Sequence, residues 1–132
     1  MLSKIKKLFN KNDFITQKHI SSSKEAVKYI NEVYSELTRL DKKVILFAGH
    51  NADIGYMDYK SYFKQDYSKK QFNESLKKLL KLRLFKREPR SKQLILVNKE
   101  EGDISEHLFD KVFAEAKNAN DFDLIKYQSD MW

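Results

Sequence analysis

The sequence holds no cysteine, one proline and three glycines in 132 residues. Without cysteine there is no disulfide framework, no thiolate metal site and no cysteine redox switch. Breakers this scarce (Pro89, Gly49, Gly55 and Gly102) argue against a loop-rich fold and predict a mostly helical chain. Long apolar runs are missing too. Mean hydropathy is −0.70, and no stretch approaches the ~18 uninterrupted apolar residues of a spanning helix, so no integral membrane association is expected. The start Met leads into Leu2-Ser3-Lys4-Ile5-Lys6-Lys7 with no apolar signal core behind it, which predicts a cytoplasmic product. An apolar fraction of 41%, with 13% aromatic, still suffices for a real core in a chain of one-domain length and excludes disorder throughout.

Positive charge is what the chain has in excess, and it is unevenly placed. The net charge is +7 and the isoelectric point near 9.4. Residues 1–20 carry +4, residues 21–55 are neutral, residues 56–99 carry +9 from thirteen basic and four acidic groups, and residues 100–132 carry −6. A concentrated basic block is the electrostatic footprint of a polyanion binder. Lysine that merely solvates helix faces would give a similar map, and Lys outnumbers Arg 22 to 4.

The apolar pattern supplies the element order. Leu2, Ile5, Leu8 and Phe9 share one face of an N-terminal helix, suited to a membrane surface or to packing on the protein or a second subunit. Ser22 or Ser23 can cap a helix over 22–40 with Ala26, Val27, Ile30, Val33, Tyr34, Leu37 and Leu40 at three- and four-residue steps. Asp41 is a plausible cap for a further helix from Lys42 to about His50, although that β-branched run also fits a buried strand. Ile54 to Asp58 reads as extended, and Tyr59 to Gln65 as a compact helix burying Tyr62 and Phe63. Ser68 with Gln71 has capping-box spacing and opens a long helix whose inner stripe is Phe72, Leu76, Leu79 and Leu80. Phe85–Glu88 and Gln93–Val97 read as strands around Pro89-Arg90-Ser91-Lys92, and Ser105 to about Ala116 as a last amphipathic helix. Residues 118–132 read as a polar tail with scattered aromatic anchors, whose acidic groups either dock or remain solvated.

Helix, short strand, short helix, turn, capped helix and hairpin follow one another in the order of a winged helix-turn-helix. In that arrangement the second helix of the pair fits a major groove ~12 Å wide while the hairpin rides adjacent backbone or minor groove. With Phe72, Leu76 and Leu79 turned inward, Lys69, Lys70, Gln71, Asn73, Glu74 and Lys77 become the recognition-helix candidates. Amide side chains can address base edges, and lysine pairs with phosphate. Arg87, Arg90 and Lys92 would crowd the hairpin tip as wing contacts.

The stretches Leu40 to Leu46, Ser68 to Leu79, Leu84 to Arg87 and Leu94 to Asn98 resemble MarR-type transcriptional regulators, particularly their SarA-like branch. The resemblance spans roughly residues 22–115 and lies in element order and leucine pattern. It implies a homodimer whose N- and C-terminal helices form the dimerisation region, and transcriptional regulation, usually repression by promoter occupancy. Where that family's wing typically carries Asp-x-Arg, this chain reads Arg90-Ser91-Lys92. The cysteine through which some SarA-like members sense oxidants is absent as well.

The expected architecture is therefore mainly α with a small β-hairpin wing. It comprises a basic N-terminal segment (1–21), a winged-helix domain with flanking dimerisation helices (22–117) and an acidic, aromatic C-terminal tail (118–132). The expected function is sequence-specific binding of double-stranded DNA by a homodimeric transcriptional regulator. One alternative is a winged-helix accessory or interaction module of plasmid or phage replication or partition, which would meet a protein partner first. Another is a peripheral membrane or polyanion-binding adaptor driven by residues 1–11. The tyrosines and phenylalanines of 56–72 could stack on single-stranded bases or simply pack. His19, His50 and His107 lack metal-site spacing, and no phosphate loop or nucleophile setting occurs, so no metal, cofactor or enzymatic activity is expected.

Overall fold

The computed structural model describes residues 24–51, 53–97 and 104–126. The expected helix at the N-terminus lies outside them. In chain order come α1 (Lys24–Ser35), α2 (Arg39–Asn51), α3 (Tyr56–Asp58, continuing as a π-helical turn over Tyr59–Phe63), α4 (Lys69–Lys81), β1 (Phe85–Arg87), β2 (Leu94–Leu96), α5 (Ile104–Asn118) and α6 (Phe122–Ile125). The chain is mainly helical, with a two-stranded antiparallel hairpin after the first helices.

The helix expected over 22–40 stops at Ser35. The Glu36 and Leu37 N–H groups donate to the Val33 and Tyr34 carbonyls in a tight final turn. Thr38 then starts α2 by a reciprocal cap: the Asp41 N–H donates to Thr38 Oγ1 at 3.1 Å, and the Thr38 N–H to Asp41 Oδ2 at 2.8 Å. Asp41 thus acts from inside the first turn and is not itself the cap residue. The apolar steps run on across the break because Leu37 and Leu40 fill the same core as Val33. The 42–50 run is helical, with Val44, Ile45, Leu46, Phe47 and Ala48 all buried. Helix α2 is the hub, packing against α4, α5, α6 and β2.

Between α2 and α3, Ile54 pairs with Leu94 through two backbone hydrogen bonds of 2.9 Å, and Gly55 after it is extended as well. Tyr56 to Asp58, expected to be extended, is helical, with the Asp58 carboxylate accepting the Gly55 N–H at 2.8 Å. The π-helical turn is closed by Lys64 N–H to Tyr59 O. Its wide turn puts Tyr59 and Phe63 inside and leaves Tyr62 51% exposed, so Tyr62 is not the core residue expected.

Helix α4 begins with the expected box, Gln71 N–H to Ser68 Oγ at 3.1 Å and Ser68 N–H to Gln71 Oε1 at 2.9 Å. Its inner stripe is Phe72, Ser75 and Leu79, with Leu76 and Leu80 half-buried. It ends in a Schellman turn: the Arg83 and Leu84 N–H groups donate to the Leu80 and Leu79 carbonyls, with Arg83 at φ 59°. The hairpin pairs Phe85 with Leu96 and Arg87 with Leu94. It closes through a Pro89–Lys92 loop in which Lys92 takes a left-handed φ of 63°.

Helix α5 lays Ile104, Leu108, Val112 and Ala116 against the core. At Gly49 of α2 a Cβ atom would sit 2.3 Å from the Phe109 ring, so glycine is what permits this close approach. The described part of the C-terminal tail is docked at its end, although Phe122 stays 71% exposed. Leu124 and Ile125 are buried, and Asp121 and Asp123 grip α2. Arg39 meets Asp121 at 2.6 Å and Asp123 at 3.2 Å, and the buried Lys43 ammonium meets Asp123 at 2.7 Å. The Arg39 guanidinium holds the Asp121 carboxyl below its ordinary value, and Lys43 draws Asp123 down to about 2.

Candidate nucleic-acid interface

The orientation of α4 is set by a buried polar knot. The Asp41 carboxylate, 1% exposed, accepts the Ser75 hydroxyl at 2.6 Å and the Lys78 ammonium at 2.7 Å in addition to the Thr38 N–H. Lys78 Nζ also donates to the Glu36 carbonyl at 2.6 Å. Ser75 and Lys78 are consecutive inner positions of α4, so the knot fixes how that helix is rolled against α2. One lysine of the basic block is thereby committed to structure.

With α4 rolled this way, Lys69, Lys70, Gln71, Asn73, Glu74 and Lys77 are all exposed, as are Arg87, Arg90 and Lys92 of the hairpin. They do not form one surface. Asn73 and Lys77 line a cleft of about 390 Å³ between α4 and the hairpin, together with Arg87, Ser91, Lys92, Gln93 and Tyr56. None of the described residues lining it is acidic. Gln71 and Glu74 instead line a separate hollow of about 410 Å³ with Thr38, Arg39 and Lys78. Gln71 Oε1 is committed to the cap, which removes the acceptor it would need to read an adenine edge.

The hairpin tip is pre-shaped. Arg87 Nη1 donates to the Lys92 carbonyl at 2.9 Å, which holds the guanidinium along the loop. The Glu88 carboxylate accepts the Ser91 and Arg90 N–H groups at 2.6 and 3.0 Å, and these donors lower its pKa. Arg90 sits in that loop, outside the cleft lining. Gln93 packs over Gly55, and with the Ile54–Leu94 pairing this joins the hairpin to the start of α3.

The sequence pattern marks Tyr56 only as a ring that stacks or packs and Lys60 only as part of the basic block; the structure brings the two together beside Lys69. Tyr56 is 51% exposed, with the Lys69 ammonium 4.8 Å and the Lys60 ammonium 5.3 Å from its ring centroid. Tyr56 and Lys60 are four residues apart, an aromatic–cation spacing visible in the sequence. Tyr59, Phe63 and Phe72 form core ring contacts at 5.1 to 5.3 Å and are unavailable for base stacking.

Among the described residues no His, Asp or Glu cluster could hold a metal ion, and no helix is long and apolar enough to cross a membrane. His50 and His107 stand on α2 and α5, and His19 lies outside the described residues. No family model matches the chain, and neither curated proteins nor solved structures provide a match.

Proposed function

We propose that the chain is a winged helix-turn-helix protein that binds double-stranded DNA, with α3 and α4 as the helix pair, α4 in the major groove and the β1–β2 hairpin as the wing. One observation carries the reading: Asn73 and Lys77 of α4 and Arg87 and Lys92 of the hairpin line a single cleft, and none of the described residues lining it is acidic. A helix with its side chains is about 10–12 Å across and fills a major groove, and cations beside it meet the phosphates. Asn73 is the candidate base reader. Lys77, Arg87 and Lys92 are backbone contacts. Sequence-specific transcriptional regulation as a homodimer, which the resemblance to MarR-type proteins implies, belongs to the same proposal.

The test is a titration of duplex DNA at ~50 and ~150 mM salt, where phosphate contacts declare themselves in the salt slope. A Lys69→Ala/Lys70→Ala/Lys77→Ala protein should lose affinity for every duplex and flatten the slope by about one for each phosphate contact removed. Asn73→Ala should alter preference among sequences. A triple variant that binds as tightly as the parent sinks the proposal.

A further inference from the structure

The cluster at the N-terminal end of the cleft has a chemistry of its own. Tyr56 projects from the start of α3, its ring lying 6.2 Å from that of Tyr59 at an interplanar angle of 21°. Tyr59 is immobilised in turn: it is buried, its hydroxyl donates to the Tyr67 carbonyl at 3.0 Å, and its ring packs 5.1 Å from Phe72. The exposed tyrosine therefore rests on a rigid base, with Lys60 on one side and Lys69, from the first turn of α4, on another. Lys69 is four residues before Asn73, about 6 Å along the helix, so the cluster continues the line of the cleft.

What can such a cluster hold? Tyr59 and two ammonium groups stand within 6.2 Å of the ring centroid, so the half-exposed ring is set among cations. The cluster presents two ammonium groups and a phenolic O–H from a preorganised platform. Those donors match the non-bridging oxygens of a phosphodiester. We propose that Tyr56, Lys60 and Lys69 form a phosphate clamp that holds one backbone strand of the duplex at the N-terminal end of α4, extending the footprint onto α3. The proposal rests on duplex DNA being the partner of α4.

The experiment uses the full chain with a random-sequence duplex of about 30 base pairs, and the matching single strand, in anisotropy titrations across salt concentration. Lys60→Ala should lower the salt slope by about one, as Lys77→Ala does, with Lys60→Arg restoring it. Tyr56→Phe should weaken duplex binding several-fold and leave the slope unchanged, because only a neutral donor is lost. Both side chains are exposed, so thermal melts of these variants should match the parent. If Lys60→Ala and Tyr56→Phe bind like the parent while Lys77→Ala does not, the clamp is refuted and the DNA reading stands. If the parent binds no duplex, both fall. Preference for the single strand, lost in Tyr56→Ala but kept in Lys60→Ala, would mean base stacking and overturn the clamp.

Discussion

Replacing Asp41 by alanine should be among the most damaging single changes this chain can suffer outside its apolar core. The carboxylate satisfies three donors at once: the Thr38 N–H at 2.8 Å, the Ser75 hydroxyl at 2.6 Å and the Lys78 ammonium at 2.7 Å. Its loss leaves Lys78, whose side chain is only 19% exposed, with the Glu36 carbonyl as its sole remaining partner in the knot. Breaking a buried pair by removing one member costs about 3–5 kcal/mol, since the orphaned charge stays out of water. For a chain of this size that is a fall in Tm of about 12–20 °C. The cause separates cleanly from simple loss of packing. In Asp41→Ala/Lys78→Met neither charge of the Asp41–Lys78 pair remains, so the loss should shrink to about 1–2 kcal/mol, the value of a helix cap and one hydroxyl bond. Urea unfolding followed by circular dichroism on both single variants and the double variant gives the coupling energy directly. Additive losses would refute the account, because they would mean that the two charges do not depend on each other.

Three further outcomes follow from the geometry. Gly49→Ala places a methyl group against the Phe109 ring and should cost about 1–3 kcal/mol in urea unfolding, with Phe109→Leu in the same chain recovering part of it; equal stability of the parent and Gly49→Ala would contradict the close approach. Lys92→Gly removes a side chain from a left-handed backbone position at φ 63° and should stabilise the hairpin by up to about 1 kcal/mol while weakening duplex binding, opposite signs in two assays. The C-terminal clasp should respond to acid. Asp123 falls from 3.8 to about 2 in the folded chain, so its contribution is complete above the unfolded value and is lost as pH drops through the folded one. Methyl NMR shifts of Leu124 and Ile125 should report undocking over that window, and Asp123→Asn should reduce the dependence to the part that Asp121 contributes through Arg39; shifts insensitive to both would rule out the clasp.

The elements legible in the sequence were those fixed by short-range chemistry. Ser68 and Gln71 stand three residues apart and cap one another, and the strands expected on either side of the Pro89–Lys92 loop pair as an antiparallel hairpin. The missed break at Ser35 also had a local signature, since Thr38 and Asp41 carry the same three-residue spacing. It was masked because apolar steps continue wherever two helices share a core. Other features depend on tertiary placement and left no mark in the periodicity. Lys77 and Lys78 are neighbours in a basic run, yet one lines the cleft and the other ties α4 to Asp41. Tyr62 leaves its expected place in the core, and Tyr59 lies inside, because a π-helical turn widens the step between them. At the candidate site, exposure followed from the amphipathic pattern of α4. The division that puts Asn73 with Arg87 and Lys92, and Glu74 with Arg39, follows from the roll of α4 and the lean of the hairpin.

That lean is governed by the single pairing of Ile54 with Leu94. Two backbone hydrogen bonds make Ile54, two residues before α3, a further rung on the hairpin, so the loop is tied to the helices at its base as well as through β1. The span from Lys77 to Lys92 is consequently fixed before any partner arrives, like the jaws of a caliper set in advance. A rigid gauge loses little conformational freedom on closing around an object of matching width. It also rejects one that is too wide or too narrow, because neither jaw can travel. In the proposed duplex complex, discrimination by shape would operate before any base edge is read.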